Sequence, residues 1–374
     1  MSRIITVTSG KGGVGKTNIS VNTALYLAEH GYSTCLFDAD MGLANVDILL
    51  GYYPEFTLED VLLQKKSITD IIIKTPSGLD IIPGSSGVKM LADLDQGQME
   101  HIIKSMSGLG EYDFVIFDTS AGISKNVISF CVTSPEIILV ITPEPTSITD
   151  AYALLKILSL NEIDSTVMIA INQCMSMEVA NKLYSKFKEV VQKNLNMDIF
   201  PVGTIPLDPH VSKAVKEQEP LISVFPDSDA AKGIKNVARY LISKGNTELD
   251  NIYLNDFWKK CLERLNSDLV LKNIKNIKKT ESVPGQLSLE QKKKLRDQNV
   301  EPTEKAEVFE TSTKDKKSDE ILTKSEQIDT KHVFEMLEGL VEGISTISSE
   351  LGAIRKMMES DRTHLSEGVA HHEG

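Results

Sequence analysis

The sequence predicts an α/β fold with a doubly wound, mostly parallel sheet, followed by a helical and partly disordered C-terminal extension. Short runs that are apolar on both faces recur along residues 1–250, helical segments separate them, and a glycine-rich loop joins the first run to the first helix. The apolar runs are IITVTS at 4–9, STCLFDAD at 33–40, FVIFDTS at 114–120, IILVITP at 137–143 and TVMIAINQ at 166–173. Between the first two, NISVNTALYLAEHGY sets Ile19, Val21, Ala24, Leu25 and Ala28 at helical spacing, and Gly31 can end the helix. That is a strand-helix-strand unit. Strand and helix continue to alternate to about Leu241, which predicts one α/β domain over 1–250.

Net charge divides the chain further. The 374 residues carry a formal charge of −13. Residues 1–250 hold 20 Lys and Arg against 30 Asp and Glu, and residues 251–279 reverse the sign with 7 against 3 and include the sole tryptophan, Trp258. Residues 280–374 return to 13 against 20. Acidity over 1–250 argues against a nucleic-acid surface, so no specific nucleic acid is expected. No stretch reaches the roughly 18 apolar residues of a spanning helix. MSRIITVTSG lacks the basic and apolar regions of a secretory signal, so a cytoplasmic protein is expected. Cys35, Cys131, Cys174 and Cys261 are too scattered for a zinc site or a disulfide framework and read as buried thiols.

The loop between the first strand and helix is Gly10, Lys11, Gly12, Gly13, Val14, Gly15, Lys16 and Thr17, which fits GxxxxGK[ST] in the strand-loop-helix setting. Glycines let successive amides turn toward phosphate oxygens, and the helix N-terminus adds its positive end. Lys16 is expected to reach the β and γ phosphates, and Thr17 to offer its hydroxyl to Mg²⁺. A plain connecting turn would explain neither lysine. Two later strand ends carry acids, Asp38 and Asp40 in FDADMGLANVDILLG and Asp118 in EYDFVIFDTSAGIS. Alone, such acids are commonly caps or solvated turns. Beside a phosphate loop, at the strand ends where open α/β sheets place ligands, they read as functional carboxylates. Asn45 and Asp47 are left open between sensing the nucleotide, facing a partner and capping the next turn.

SGKGGVGKT resembles the deviant Walker A motif of the MinD/ParA ATPases, a P-loop NTPase family. The resemblance covers about residues 3–245 and implies ATP and Mg²⁺ as cofactors. It gives Lys11 the role of reaching the phosphates of a second copy in a nucleotide-bound homodimer. Asp40 would position the attacking water, while Asp38 and Asp118 would support the metal. Asn172 and the GTIPLDPHV segment, with Pro206 and Asp208, match the family's adenine-contacting positions. An NKxD guanine signature is lacking, which favours ATP. DTSAGISKNVISF, VITPEPTSITDAYALLKIL and PLISVFPDSDAAKGI are similar to the FlhG/FleN flagellar-number group, implying an ATP-dependent dimerisation switch with flagellar or polar partner proteins. A DNA or cargo partition ATPase is the alternative, and a metabolic ATP-dependent enzyme ranks below it. That group carries an N-terminal DQAxxLR-like helix that stimulates the GTPase FlhF. Here the phosphate loop begins within ten residues of Met1, so FlhF-like stimulation by that route is not expected.

In 251–279, Leu254, Trp258, Cys261, Leu262, Leu265 and Leu269 share one helical face, with Lys259, Lys260 and Arg264 mainly elsewhere. A basic amphipathic helix of this kind suits either an anionic membrane surface or docking on the domain. Residues 280–330 are too polar to fold alone and read as a disordered linker. Val333, Leu337, Leu340, Ile344, Ile347, Leu351, Ile354 and Met358 then form a heptad seam, predicting a coiled coil over 331–360 with itself or a partner, before a disordered tail at 361–374.

Overall fold

The computed structural model describes residues 2–40, 45–84, 90–91, 94–245 and 251–267. The linker at 280–330, the heptad seam at 331–360, the tail at 361–374 and the lysine-rich 268–279 lie outside them. In chain order the described elements are β1 (Ser2–Ser9), α1 (Lys16–Glu29), β2 (Thr34–Ala39), α2 (Asn45–Leu50), α3 (Leu58–Leu62), a 3₁₀ turn (Ile68–Asp70), β3 (Ile73–Lys74), β4 (Leu79–Ile82), α4 (Gln96–Met106) and β5 (Phe114–Ala121). After these come α5 (Lys125–Thr133), β6 (Glu136–Ile141), α6 (Pro145–Leu160), β7 (Thr166–Cys174), α7 (Met177–Leu195), β8 (Ile199–Pro206), α8 (Pro209–Glu217), α9 (Leu221–Val224), α10 (Asp229–Lys244), β9 (Asn251–Ile252) and α11 (Leu254–Leu265).

The strands form one sheet in the order β3-β4-β2-β5-β1-β6-β7-β8. All neighbours pair in parallel except β3 on β4, and β9, which joins Ser2 and Arg3 of β1 antiparallel. Sequence reading located five of these strands. It placed the end of β8 in the GTIPLDPHV segment and passed over the edge strand β3, its neighbour β4 and the short β9, which are two, four and two residues long, too short to show a period.

Alternation along each central strand explains why both faces are covered. Ile5, Leu36, Phe114, Ile116, Ile138 and Val140 pack with α1 and α10. Their neighbours Cys35, Phe37, Val115 and Phe117 pack on the opposite face with α3, α4 and α11, while Ile137 and Leu139 meet α6 and α7 there. Successive side chains of a strand point to opposite sides, so a run apolar at every position requires a helix layer on each.

Of the two readings of 251–279, the structure shows docking over 254–265. Phe257, Trp258, Cys261, Leu262 and Leu265 are all fully buried against the sheet, α4 and α5, while Lys259 and Lys260 are exposed. Trp258 stands 5.2 Å from Phe37 and 5.6 Å from Phe117, ring centre to ring centre. The membrane reading assigned this same apolar face to lipid. Over these residues the apolar face is occupied by the core, in line with the docking reading, while Leu269 of the same predicted face lies outside the described residues.

At the start of β1, the buried Arg3 guanidinium donates to both Glu136 oxygens and to the Leu241 carbonyl, and Lys244 adds a 2.9 Å bond to Glu136. Full pairing is what makes burying these charges tolerable. The cluster fastens β6 and α10 to the end of β1 away from the glycine loop.

Candidate functional site

The glycine loop spans the turn from Ser9 at the end of β1 to Lys16 at the start of α1. Two of its glycines are dictated by contact. A Cβ on Gly10 would lie 2.1 Å from the backbone carbon of Asp150 in α6, and one on Gly15 would lie 2.3 Å from Asn172 Nδ2. Gly15 also has φ of 90°, the left-handed region that glycine adopts without strain. It is the N-cap of α1, and no side chain caps the helix there. The first-turn amides of α1 are therefore available to an anion, in line with the helix dipole.

Lys16 and Thr17 open α1 beside β5. The Thr17 hydroxyl bonds the Asp118 carboxylate and the Lys16 charge acts on it, while Ser20, one turn along, donates to Asp118 Oδ1 at 2.8 Å. Ser20 was not among the sequence-predicted residues. Its signal is its place one turn after Lys16 on the same helix face. Across the sheet, Asp38 of β2 lies in register with Asp118 of β5, and both are fully buried. Asp38 Oδ1 accepts from the Asp40 amide at 3.1 Å. Burial, then the neighbouring Asp118 charge, holds the Asp38 carboxyl well above the ordinary carboxylate range. Burial pushes Asp118 up to about 6 against the opposing pull of Thr17, Lys16 and Ser20.

This pair fits a cation. Asp38 Oδ2 and Asp118 Oδ2 are buried with no hydrogen-bond donor, a costly condition that Mg²⁺ would relieve. Among the described residues no cage of three or more His, Cys, Asp or Glu is assembled. Mg²⁺ does not demand one, because it keeps several waters and takes further oxygens from phosphate. Thr17, Asp38 and Asp118 are thus brought together. Asp40 sits half-buried at the last position before residues 41–44, which lie outside the described set.

Lys11 points elsewhere. Its ammonium is paired with Glu144 and donates to Thr146 Oγ1 at 2.8 Å, at the N-terminus of α6. Sequence reading named neither partner, since each is more than 130 positions away.

Asn172, at the end of β7, donates through Nδ2 to the Val14 carbonyl at 2.8 Å and accepts the Gln173 amide on Oδ1. It is 8 % exposed and buttresses the glycine loop. Pro206, at the end of β8, is half-buried. Asp208 Oδ1 accepts from the His210 amide and Oδ2 from the Ala230 amide, at 2.9 and 3.0 Å. Its carboxylate therefore caps α8 and clamps α10, which leaves it fixing the loop that carries Pro206.

A protein-family profile described as "ParA: NUBPL iron-transfer P-loop NTPase" matches residues 1–242. The antiactivator FleN of Pseudomonas aeruginosa is 41% identical over 238 residues, covering 63% of this chain and 85% of that protein. The flagellum site-determining protein YlxH of Helicobacter pylori is 32% identical over 269 residues, covering 71% and 91%. Among solved structures, the septum site-determining protein MinD of Pyrococcus horikoshii complexed with Mg-ADP superposes with a TM-score of 0.52 at 28% identity, over 64% of this chain and 96% of that one. The MinC:MinD complex of Aquifex aeolicus gives 0.52 at 26% identity, over 66% and 98%.

Proposed function

Because the chain belongs to the ParA/MinD family of P-loop NTPases and is an ATPase, we propose that it is an ATP-dependent dimerisation switch that sets the number or placement of a cellular structure, the flagellum first. The observation that carries the switch reading is the position of Lys11. A lysine of the phosphate loop, only partly exposed, is held on Glu144 and Thr146 rather than over its own loop. A surface pair of this kind is worth roughly 0 to 1 kcal/mol. Exchanging it for the phosphates of a second copy's nucleotide costs little and delivers a cation where phosphoryl charge develops.

In this reading the amides of Gly12 to Lys16 hold the phosphates, Lys16 neutralises them, and Asn172 and Pro206 face the adenine. Thr17, Asp38 and Asp118 would hold Mg²⁺, which when bound would supply charge neutralisation for the phosphates. Asp40 orients the attacking water. ATP binding and pairing of two copies then depend on each other. The name of the relative YlxH, a flagellum site-determining protein, supports a flagellar role, with flagellar or polar proteins as partners. Iron transfer, named in the family description, would require accessible thiolates, whereas all four cysteines are buried. An anionic-surface contact through 251–279 would fall to the residues after α11, since α11 commits its apolar face to the core.

Size-exclusion chromatography with ATP tests the switch. Asp40→Ala is expected to retain ATP and run as a dimer, and Lys11→Ala as a monomer. An Asp40→Ala protein that binds ATP yet stays monomeric removes the switch. Counting flagella on cells carrying Lys16→Ala tests the biological target, and an unchanged count removes the flagellar assignment.

A further inference from the structure

Ser20 stands one turn after Lys16 in α1, a helix of 14 residues, and is fully buried. A serine inside a helix ordinarily returns its proton to the carbonyl four residues back or turns it to water. Burial removes the water, and the Lys16 carbonyl lies 3.1 Å from the hydroxyl. A second acceptor lies closer, Asp118 Oδ1 on β5, at 2.8 Å and 98 positions away in sequence. A hydroxyl has one proton to give, and a carboxylate accepts more strongly than an amide carbonyl, so the proton belongs to Asp118.

This bond divides the two oxygens of Asp118. Oδ1 is tied to α1, whereas Oδ2 is buried and has no hydrogen-bond partner. Both ends of the tie are fixed by their neighbours. Asn22 Oδ1 accepts the Ile222 amide at 3.0 Å and holds α1 two residues further on, and Thr119 donates to the Val7 carbonyl at 3.0 Å and holds β5 beside Asp118. Thr17 also bonds the Asp118 carboxylate, but its hydroxyl is the one that Mg²⁺ would take. Ser20 has no such second duty, so its bond to Oδ1 is compatible with a loaded site.

We propose that Ser20 is a positioning residue of the Mg²⁺ centre, which holds Asp118 through Oδ1 and so leaves Oδ2 for the cation's shell. The proposal rests on the reading of Asp38 and Asp118 as a Mg²⁺-nucleotide centre. It makes the phosphate-loop helix and the β5 carboxylate one unit, joined through a residue outside the glycine loop itself. Outer donors of this kind orient metal-binding groups, and their loss typically costs about ten- to a hundredfold in metal affinity.

The test uses Mn²⁺ as the probe, titrated into the ADP complex of the full chain and followed by electron paramagnetic resonance. ADP affinity is measured separately in EDTA, and thermal unfolding without ligand. Ser20→Ala removes the hydroxyl and places a better helix former in α1. It is expected to weaken Mn²⁺ binding at least about tenfold and to keep the metal-free ADP affinity, while Ser20→Thr, which retains the hydroxyl, recovers most of the Mn²⁺ affinity. Mn²⁺ affinity equal to wild type in Ser20→Ala overturns the proposal. So does a parallel loss of metal-free ADP binding and Tm, which marks a purely structural serine, or a folded Ser20→Thr that binds Mn²⁺ no better than Ser20→Ala. Ser20→Ala alone carries the test where the added methyl of Ser20→Thr prevents folding. Uptake of Mn²⁺ by the wild-type ADP complex and its loss in Asp118→Asn establish the centre separately. If the wild-type complex takes up none, the site reading falls and the proposal with it.

Discussion

Asp38 and Asp118 are side by side and fully buried, so the site carries an electrostatic penalty that depends on pH. For Asp118 the sign follows from burial, which lifts it from an ordinary 3.8 to about 6. Such an acid binds its proton more tightly folded than unfolded. The ligand-free fold therefore gains stability as pH falls through about 6 toward the unfolded value, and bears the full penalty at neutral pH. Melting of nucleotide-free protein at about pH 7.5 and about pH 5.5 should show this gain, and Asp118→Asn should show less of it. Superimposable profiles for the two proteins would assign the pH dependence to other groups. Gly10, Gly15, Lys16, Thr17, Asp38 and Asp118 were legible in the sequence because each belongs to a local strand-end pattern. Glu144 and Thr146 were not, because their meeting with Lys11 is produced by strand order, across 133 and 135 positions.

Helix α11 shows a similar division one scale up. Its apolar stripe could be read from spacing alone, but a stripe suits lipid and protein equally, and only the packing decides. Phe257, outside the predicted face, is also fully buried, so the contact is wider than the projection suggested. Its consequence reaches the site through β2 and β5. Trp258 touches Phe37 and Phe117, and the next residue after each is a site carboxylate, Asp38 or Asp118. Trp258→Ala would leave a cavity beneath both strand ends and is expected to cost about 3–5 kcal/mol, with Trp258→Phe costing less. Thermal melts measure the loss, and nucleotide affinity of whichever variant remains folded measures its transmission to the site. Unchanged Tm in Trp258→Ala would show that α11 is not part of the cooperative unit.

At the scale of the molecule, the sheet separates two kinds of charge. The C-terminal strand ends carry the phosphate loop and its carboxylates, whereas the beginning of β1 carries the closed Arg3, Glu136 and Lys244 cluster. Helix α11 connects these ends. It starts after β9, paired to Ser2 and Arg3, with Asn255 accepting from Ser107 just past the end of α4. It finishes with Asn266 donating to the Leu91 carbonyl and lying 3.6 Å from Met99 Sδ in the first turn of α4. Since α4 crosses from β4 to the parallel β5, its first turn lies toward the nucleotide end. The described residues therefore end at Ser267 near that end, and the sequence that follows, 268–279, is rich in lysine. Trp258 is the sole tryptophan, so its emission reports whether α11 stays docked while the rest of the chain meets a surface. With anionic vesicles containing brominated lipid, under ATP or ADP, the emission is expected to keep its wavelength and escape quenching, because bromine cannot reach a fully buried ring. Quenching confined to ATP would show the helix released in the nucleotide-bound state and would restore its apolar face as a membrane contact, at the expense of the aromatic packing beneath Asp38 and Asp118.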